Sequence, residues 1–185
     1  MGTSLENVAE HRDMMNQINQ VEAFSVLKKL LLILACMAFV ISCKGDPETN
    51  DLKDYVTNDL YNIRTHLRAA SNQYESTLSK NEKARSDIIR TKVVYQYQKY
   101  LDGLQAIKTE TAMVDSLNDT GIQAVEQAIN NLEKYRKIAL RGNAHQTMRA
   151  RSDAENAMES IRRWQKDVWE TAKARGVAVP EDIGR

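Results

Sequence analysis

Apolar residues return at helical spacing from residue 48 to residue 176, and the pattern divides into four stretches. In the first, Leu52, Val56, Leu60, Ile63, Leu67, Ala70, Tyr74 and Leu78 follow in steps of three and four, which keeps them on one helix face. Asp46 before Pro47 reads as the cap of this helix, with proline at its first position. Ser79 followed by Glu82 has the form of a capping box and predicts a second helix start. That helix carries Ile89, Val93, Tyr97, Tyr100, Leu104 and Ile107 as a nearly heptad seam. Gly103 within the seam weakens the helix or permits close packing. Asn118-Asp119-Thr120-Gly121 predicts the clearest turn of the chain, ahead of a third helix with Ile122, Val125, Ile129, Leu132, Tyr135 and Ala139. Gly142 suits the position just past its end. Asn143 with Gln146 forms a second capping box for a fourth helix. Its stripe is Met148, Ala150, Ala154, Ala157, Ile161, Trp164, Val168 and Ala172, and Gly176 and Pro180 end it.

This pattern predicts an all-α fold: an elongated antiparallel bundle of about four helices, coiled-coil-like, over residues 48–176, with 177–185 a flexible tail. A long hairpin or three-helix coiled coil is the competing arrangement, in which the first two stretches fuse into one rod. The only prolines are Pro47 and Pro180, so none interrupts the helices between them.

The chain changes character before residue 43. Lys28 and Lys29 precede an unbroken apolar run, Leu30 to Ile41, twelve residues long. A bilayer-spanning helix needs about 20 such residues, whereas a secretory h-region needs 7–15 behind a positive flank. The run therefore predicts a signal-peptide helix over 28–42. Both phenylalanines lie before Cys43 and all seven tyrosines after it.

Val40-Ile41-Ser42-Cys43 resembles the lipobox of bacterial lipoproteins, with an aliphatic residue three places before the cysteine and a small residue directly before it. The resemblance covers about residues 28–44. It implies a diacylglycerol thioether on Cys43, cleavage before that cysteine and, in Gram-negative members, acylation of the new amine. It also implies a lipidated tether over 43–47. Lys44 replaces the aspartate that commonly holds such proteins at the inner membrane, so the resemblance favours the outer membrane, facing the periplasm, in a Gram-negative source. Two or three acyl chains on one residue anchor firmly. With Cys36 removed alongside the signal, the mature chain holds no free thiol and no disulfide. Residues 1–27 form a polar leader, too long for an ordinary n-region. They mark either a start codon further downstream, near Met14 or Met15 or at a non-Met initiator such as Val26 or Leu27, or a long cytoplasmic leader.

After residue 42 the chain carries 23 basic and 21 acidic side chains. That balance argues against nucleic acid as a ligand, because phosphate binding requires a cationic surplus. His66 and His145 fall on different helices without a second ligand at i+4, so no metal and no cofactor is expected. No nucleophile elbow or phosphate loop is present, and an enzyme is not expected.

The candidate partner-binding residues are Tyr95, Arg162, Arg163, Trp164 and Trp169. Tyr95 points off its stripe, and the two tryptophans sit about 140° apart on one helix among arginines. Core packing and solvated charge compete with that reading. The leading expectation is a non-catalytic lipoprotein whose helices bind or scaffold another envelope component, or self-associate. Two alternatives stand beside it: an immunity or exclusion inhibitor against a toxin, phage or lytic enzyme, and a cell-wall or lipid-acting enzyme or carrier.

Overall fold

The computed structural model describes residues 46–180, which are all-helical with four helices packed together. Helix α1 runs from Pro47 to Ser76 and α2 from Glu82 to Ala106; α3 is Ala112–Ala139 and α4 is Ala144–Ala174. The expected signal-peptide segment over 28–42, the expected leader over 1–27 and the last five residues lie outside the described residues. Residues 46–185 form a unit of their own, separate from residues 1–45. No described helix is long and apolar enough to cross a membrane.

Helices α1 and α2 each contain a π-helical stretch, Tyr55–Leu60 and Ile89–Val93. Both fall where the apolar stripe takes two consecutive steps of four: Leu52, Val56, Leu60 and Ile89, Val93, Tyr97. Steps of four drift around a helix of 3.6 residues per turn. Bonding from i to i+5 winds more residues into the turn and returns the stripe to one face. All six side chains are buried.

In α3 the stripe alternates steps of four and three throughout and in α4 as far as Trp164, and both helices are uninterrupted, although Trp164, Val168 and Ala172 again stand four apart. Val114, Asn118, Gly121, Val125, Ala128, Leu132 and Tyr135 are the buried seam of α3. Ala150, Ala154, Ala157, Ile161, Trp164, Val168 and Ala172 are that of α4. Alanines on both helices allow close approach, and α3 with α4 is the most extensive contact of the fold.

Several sequence expectations are corrected here. Asn118-Asp119-Thr120-Gly121 is not a turn; it lies inside α3, and the chain turns earlier, at residues 107–111. The Asn118 amide donates to the Leu104 carbonyl at the end of α2 and accepts from the Tyr55 hydroxyl, so a residue read as a loop former is a buried cross-link. Gly121 admits the Trp164 indole, whose N–H donates to the Leu117 carbonyl at 2.7 Å. Gly103 likewise gives way to Ile63, which resolves its double reading toward close packing.

The first two helices do not fuse into one rod. They part at residues 77–81, and the cap of α2 is Asn81, which accepts from the Ala84 amide, rather than Ser79. Arg85, 5% exposed, organises this turn. Its guanidinium donates to the carbonyls of Thr77, Leu78 and Lys80, to Glu82 and to the Tyr135 hydroxyl. Tyr135 in turn donates to Glu82 at 2.7 Å. The opposite end is tied by buried Asp51, which accepts from the backbone N–H groups of Glu110 and Thr111 and from the Thr111 hydroxyl at 2.6 Å. An aspartate of α1 thus satisfies donors at the entry to α3.

Asp46 makes no cap bond to α1; its carboxylate accepts from Thr49 and Arg175 instead. The Asn143–Gln146 capping box forms as expected. Gly142 lacks a positive φ, whereas Gly176, with φ 70°, closes α4 in a Schellman motif. Gly176 N–H donates to Lys173 and Val177 N–H to Ala172. Val177 is buried and Val179 partly so, and the first residues of the expected loose tail pack on the core. Met148 and Leu78, placed on the stripes, are exposed at 73% and 47%.

Candidate functional site

α1 and α4 are fastened near both ends and part between them. At one end Arg175 of α4 pairs with Asp46 and Glu48 at the start of α1, at 2.8 and 2.5 Å. Toward the other, the Tyr74 hydroxyl donates to Glu155 at 3.1 Å. A groove of about 760 Å³ runs along the two helices from Arg64 and Gln165 to Leu78 and Arg151, and the Tyr74–Glu155 bond crosses it. Its floor is Leu67, Tyr74, Tyr97 and Ile161, each at least nine-tenths buried. Arg64 and Arg68 stand on the α1 side, Arg151 and Arg162 on the α4 side.

The rim is charged in both signs. Arg151 donates to Glu155 at 2.9 Å and Arg162 to Glu159 at 3.0 Å. The Glu155 hydrogen bond holds the Arg151 guanidinium above its ordinary value. The Arg64 guanidinium lies 3.1 Å from the Tyr61 ring centroid. Burial pushes the Tyr97 phenol up to about 12, an effect that a hydrogen bond with Ser71 and the charge of Arg162 only partly oppose. Burial, then the Glu155 carboxylate, pushes Tyr74 up as well. Both phenols are therefore neutral at physiological pH. The groove offers an apolar floor with hydroxyls and a rim of exchangeable ion pairs, which suits a polypeptide carrying both apolar and charged groups.

Trp164 is corrected as a partner-binding candidate: it is 2% exposed, in edge contact with Tyr100, and belongs to the core. Arg162 rims the groove. Arg163 donates to Ser160, away from the groove lining. Trp169 is 37% exposed with the Lys173 ammonium 5.0 Å from its ring, and Tyr95 is 54% exposed with Lys99 5.9 Å away. The groove lining therefore takes up only Arg162 of the five. Val40, Ile41, Ser42 and Cys43 lie outside the described residues. His66 bonds Gln96 at 2.8 Å and His145 is exposed. Among the described residues no cluster of His, Cys, Asp or Glu has the makings of a metal site.

Sequence reasoning missed Arg64, Arg68 and Arg151, which look like solvated charge until α1 and α4 are seen to part. It also missed Arg85, although Arg85 stands four residues before Ile89 in the core register of α2, and that position was its signal. No protein-family model, curated protein or solved structure matches this chain.

Proposed function

We propose that the chain is a membrane-anchored bacterial lipoprotein whose helical unit binds or scaffolds another component of the cell envelope, without catalysis. The observation that carries this reading is the order Lys28-Lys29, apolar Leu30 to Ile41, then Val40-Ile41-Ser42-Cys43, ending three residues before the helical unit opens at Asp46. Export, lipidation of Cys43 and a short tether follow from that order. In a Gram-negative source the favoured address is the outer membrane, facing the periplasm.

The groove between α1 and α4 supports binding of a protein partner. The heptad-like seams of α3 and α4 support an elongated antiparallel bundle with coiled-coil character. The 30 residues of α1 correspond to a helix about 45 Å long.

The test is intact mass and fractionation of the protein made in a bacterium, wild type beside Cys43→Ala. A diacylglycerol-modified chain beginning at residue 43, lost in the variant together with membrane retention, is the expected result. An unmodified chain with the same distribution in both would end the lipoprotein reading.

A further inference from the structure

The charge balance of the whole chain hides a strong polarity. From Lys134 through Ser152 there are six Lys or Arg and no Asp or Glu, whereas residues 46–60 hold five carboxylates against Lys53 alone. The fold places these stretches at opposite ends of the helical unit. The α1–α2 turn and the end of α3 are joined through Arg85 and Tyr135, and Ser86 donates to the Arg136 carbonyl. Residues 134–152, which close α3 and open α4, therefore share one end with Lys80 and Lys83.

At that end Lys80, Lys83, Lys137, Arg141 and Arg149 are exposed and form no ion pair with a described residue. Most nearby carboxylates are already engaged, Glu82 by Arg85, Asp87 by Arg90, Glu133 by Arg136 and Asp153 by Lys134, which leaves Glu75 as the exposed carboxylate of this end without an ion pair among the described residues. The same end exposes Leu78, Leu140 and Met148, at 47%, 52% and 73%. The exposed aromatics Tyr61, Tyr95 and Trp169 all lie elsewhere along the helices.

We infer that this end of the unit docks on an anionic lipid surface. Lysine and arginine near such a surface are each attracted by its negative potential, and aliphatic side chains standing among them enter the headgroup boundary. Protein docking sites are instead depleted in lysine, whereas this end presents Lys80, Lys83 and Lys137 exposed. The direction in which the end is presented rests on the proposed anchor at Cys43; its surface chemistry does not. Within the unit, the 30 residues of α1 separate its first residues from the cationic end by about 45 Å, so the two ends are free to meet different surfaces.

The test reconstitutes the full chain in neutral phosphatidylcholine vesicles and adds a second vesicle population with or without phosphatidylglycerol. Light scattering reads clustering. Clustering is expected only with the anionic vesicles. It should fall at least about tenfold in Arg141→Glu/Arg149→Glu and weaken at about 0.5 M salt. Leu140→Ser/Met148→Ser should lower it without changing the salt dependence. All four residues are exposed, so the helical circular dichroism and melting of both variants should match wild type.

Equal clustering of neutral vesicles, or an unchanged charge-reversed variant, overturns the inference. A chain that binds polyglutamate and ignores anionic vesicles also overturns it, in favour of an acidic protein. If the chain is not retained in the first vesicles, the anchor reading fails. Co-sedimentation with anionic against neutral vesicles then decides the surface alone, by the same comparison of wild type and variant.

Discussion

Trp164 packs on Gly121 so closely that no side chain fits between them, and its indole N–H is fixed on the carbonyl of Leu117. A Cβ at position 121 would lie 2.5 Å from Trp164 Cε2. Alanine would gain about 1 kcal/mol in helix propensity, but overpacking costs about 1–3 kcal/mol. Gly121→Ala should therefore be neutral to destabilising. Gly121→Val, bulkier and a poorer helix former, should lower the melting temperature by several degrees. Thermal unfolding followed by circular dichroism checks both. A valine variant melting at or above wild type would mean the indole moves aside without cost.

Gly176 makes a contrasting case. Nothing lies within 4 Å of its would-be Cβ, yet its φ is 70°. The expected loss for Gly176→Ala is about 1 kcal/mol, from the left-handed backbone alone. Gly176→Asn should lose less, because asparagine tolerates that region. Urea midpoints in the order glycine, asparagine, alanine are expected; an alanine midpoint equal to wild type would show that the Schellman turn contributes nothing.

Arg85, a buried charge, should be among the costliest positions in the unit to substitute. Arg85→Met strands the carbonyls of Thr77, Leu78 and Lys80, and leaves Glu82 and Tyr135 without their cation. The expected loss is about 3 kcal/mol. Arg85→Lys should recover little of it, since an ammonium cannot reproduce the planar fork. Urea unfolding measures both, and a lysine variant as stable as wild type would remove the fork from the explanation.

The helices were legible because their stripes run long, and the Asn143 cap was legible because its chemistry is local. The α3 start was not, since two of its seam positions are Asn118 and Gly121. Those residue types signal a turn when only neighbours in sequence are considered. Here Gly121 makes room for Trp164, 43 residues away, and Asn118 joins Leu104 and Tyr55, so tertiary contacts override local preference. Arg85 escaped for the same reason: three of its acceptors are backbone carbonyls, which no residue pattern displays, and another is Tyr135, 50 residues away. The groove was illegible because it depends on where α1 and α4 part. Of its four arginines only Arg162 had a sequence rationale, and that rationale was proximity to Trp164, which proves to be core.

Asp59 sets a pH dependence whose sign is fixed by its surroundings. Partial burial, then the charges of Asp54 and Asp51, raise its carboxyl above the ordinary 3.8. The folded chain then holds that proton more tightly than the unfolded chain. Stability falls as pH rises from the unfolded value toward the raised folded one, and the whole penalty is present above it. Asp59→Asn removes the ionisable group and keeps the shape, so it should melt higher than wild type at pH 7. The gain should shrink as pH drops below about 4, where the wild-type carboxyl is protonated in both states. Asp54→Asn should give a smaller gain of the same sign, by removing one of the two charges that face Asp59. Melting curves of the three proteins at pH 7 and pH 3 decide the matter. An Asp59→Asn variant less stable than wild type at pH 7 would show that the carboxylate makes a favourable contact outweighing its burial and its acidic neighbours.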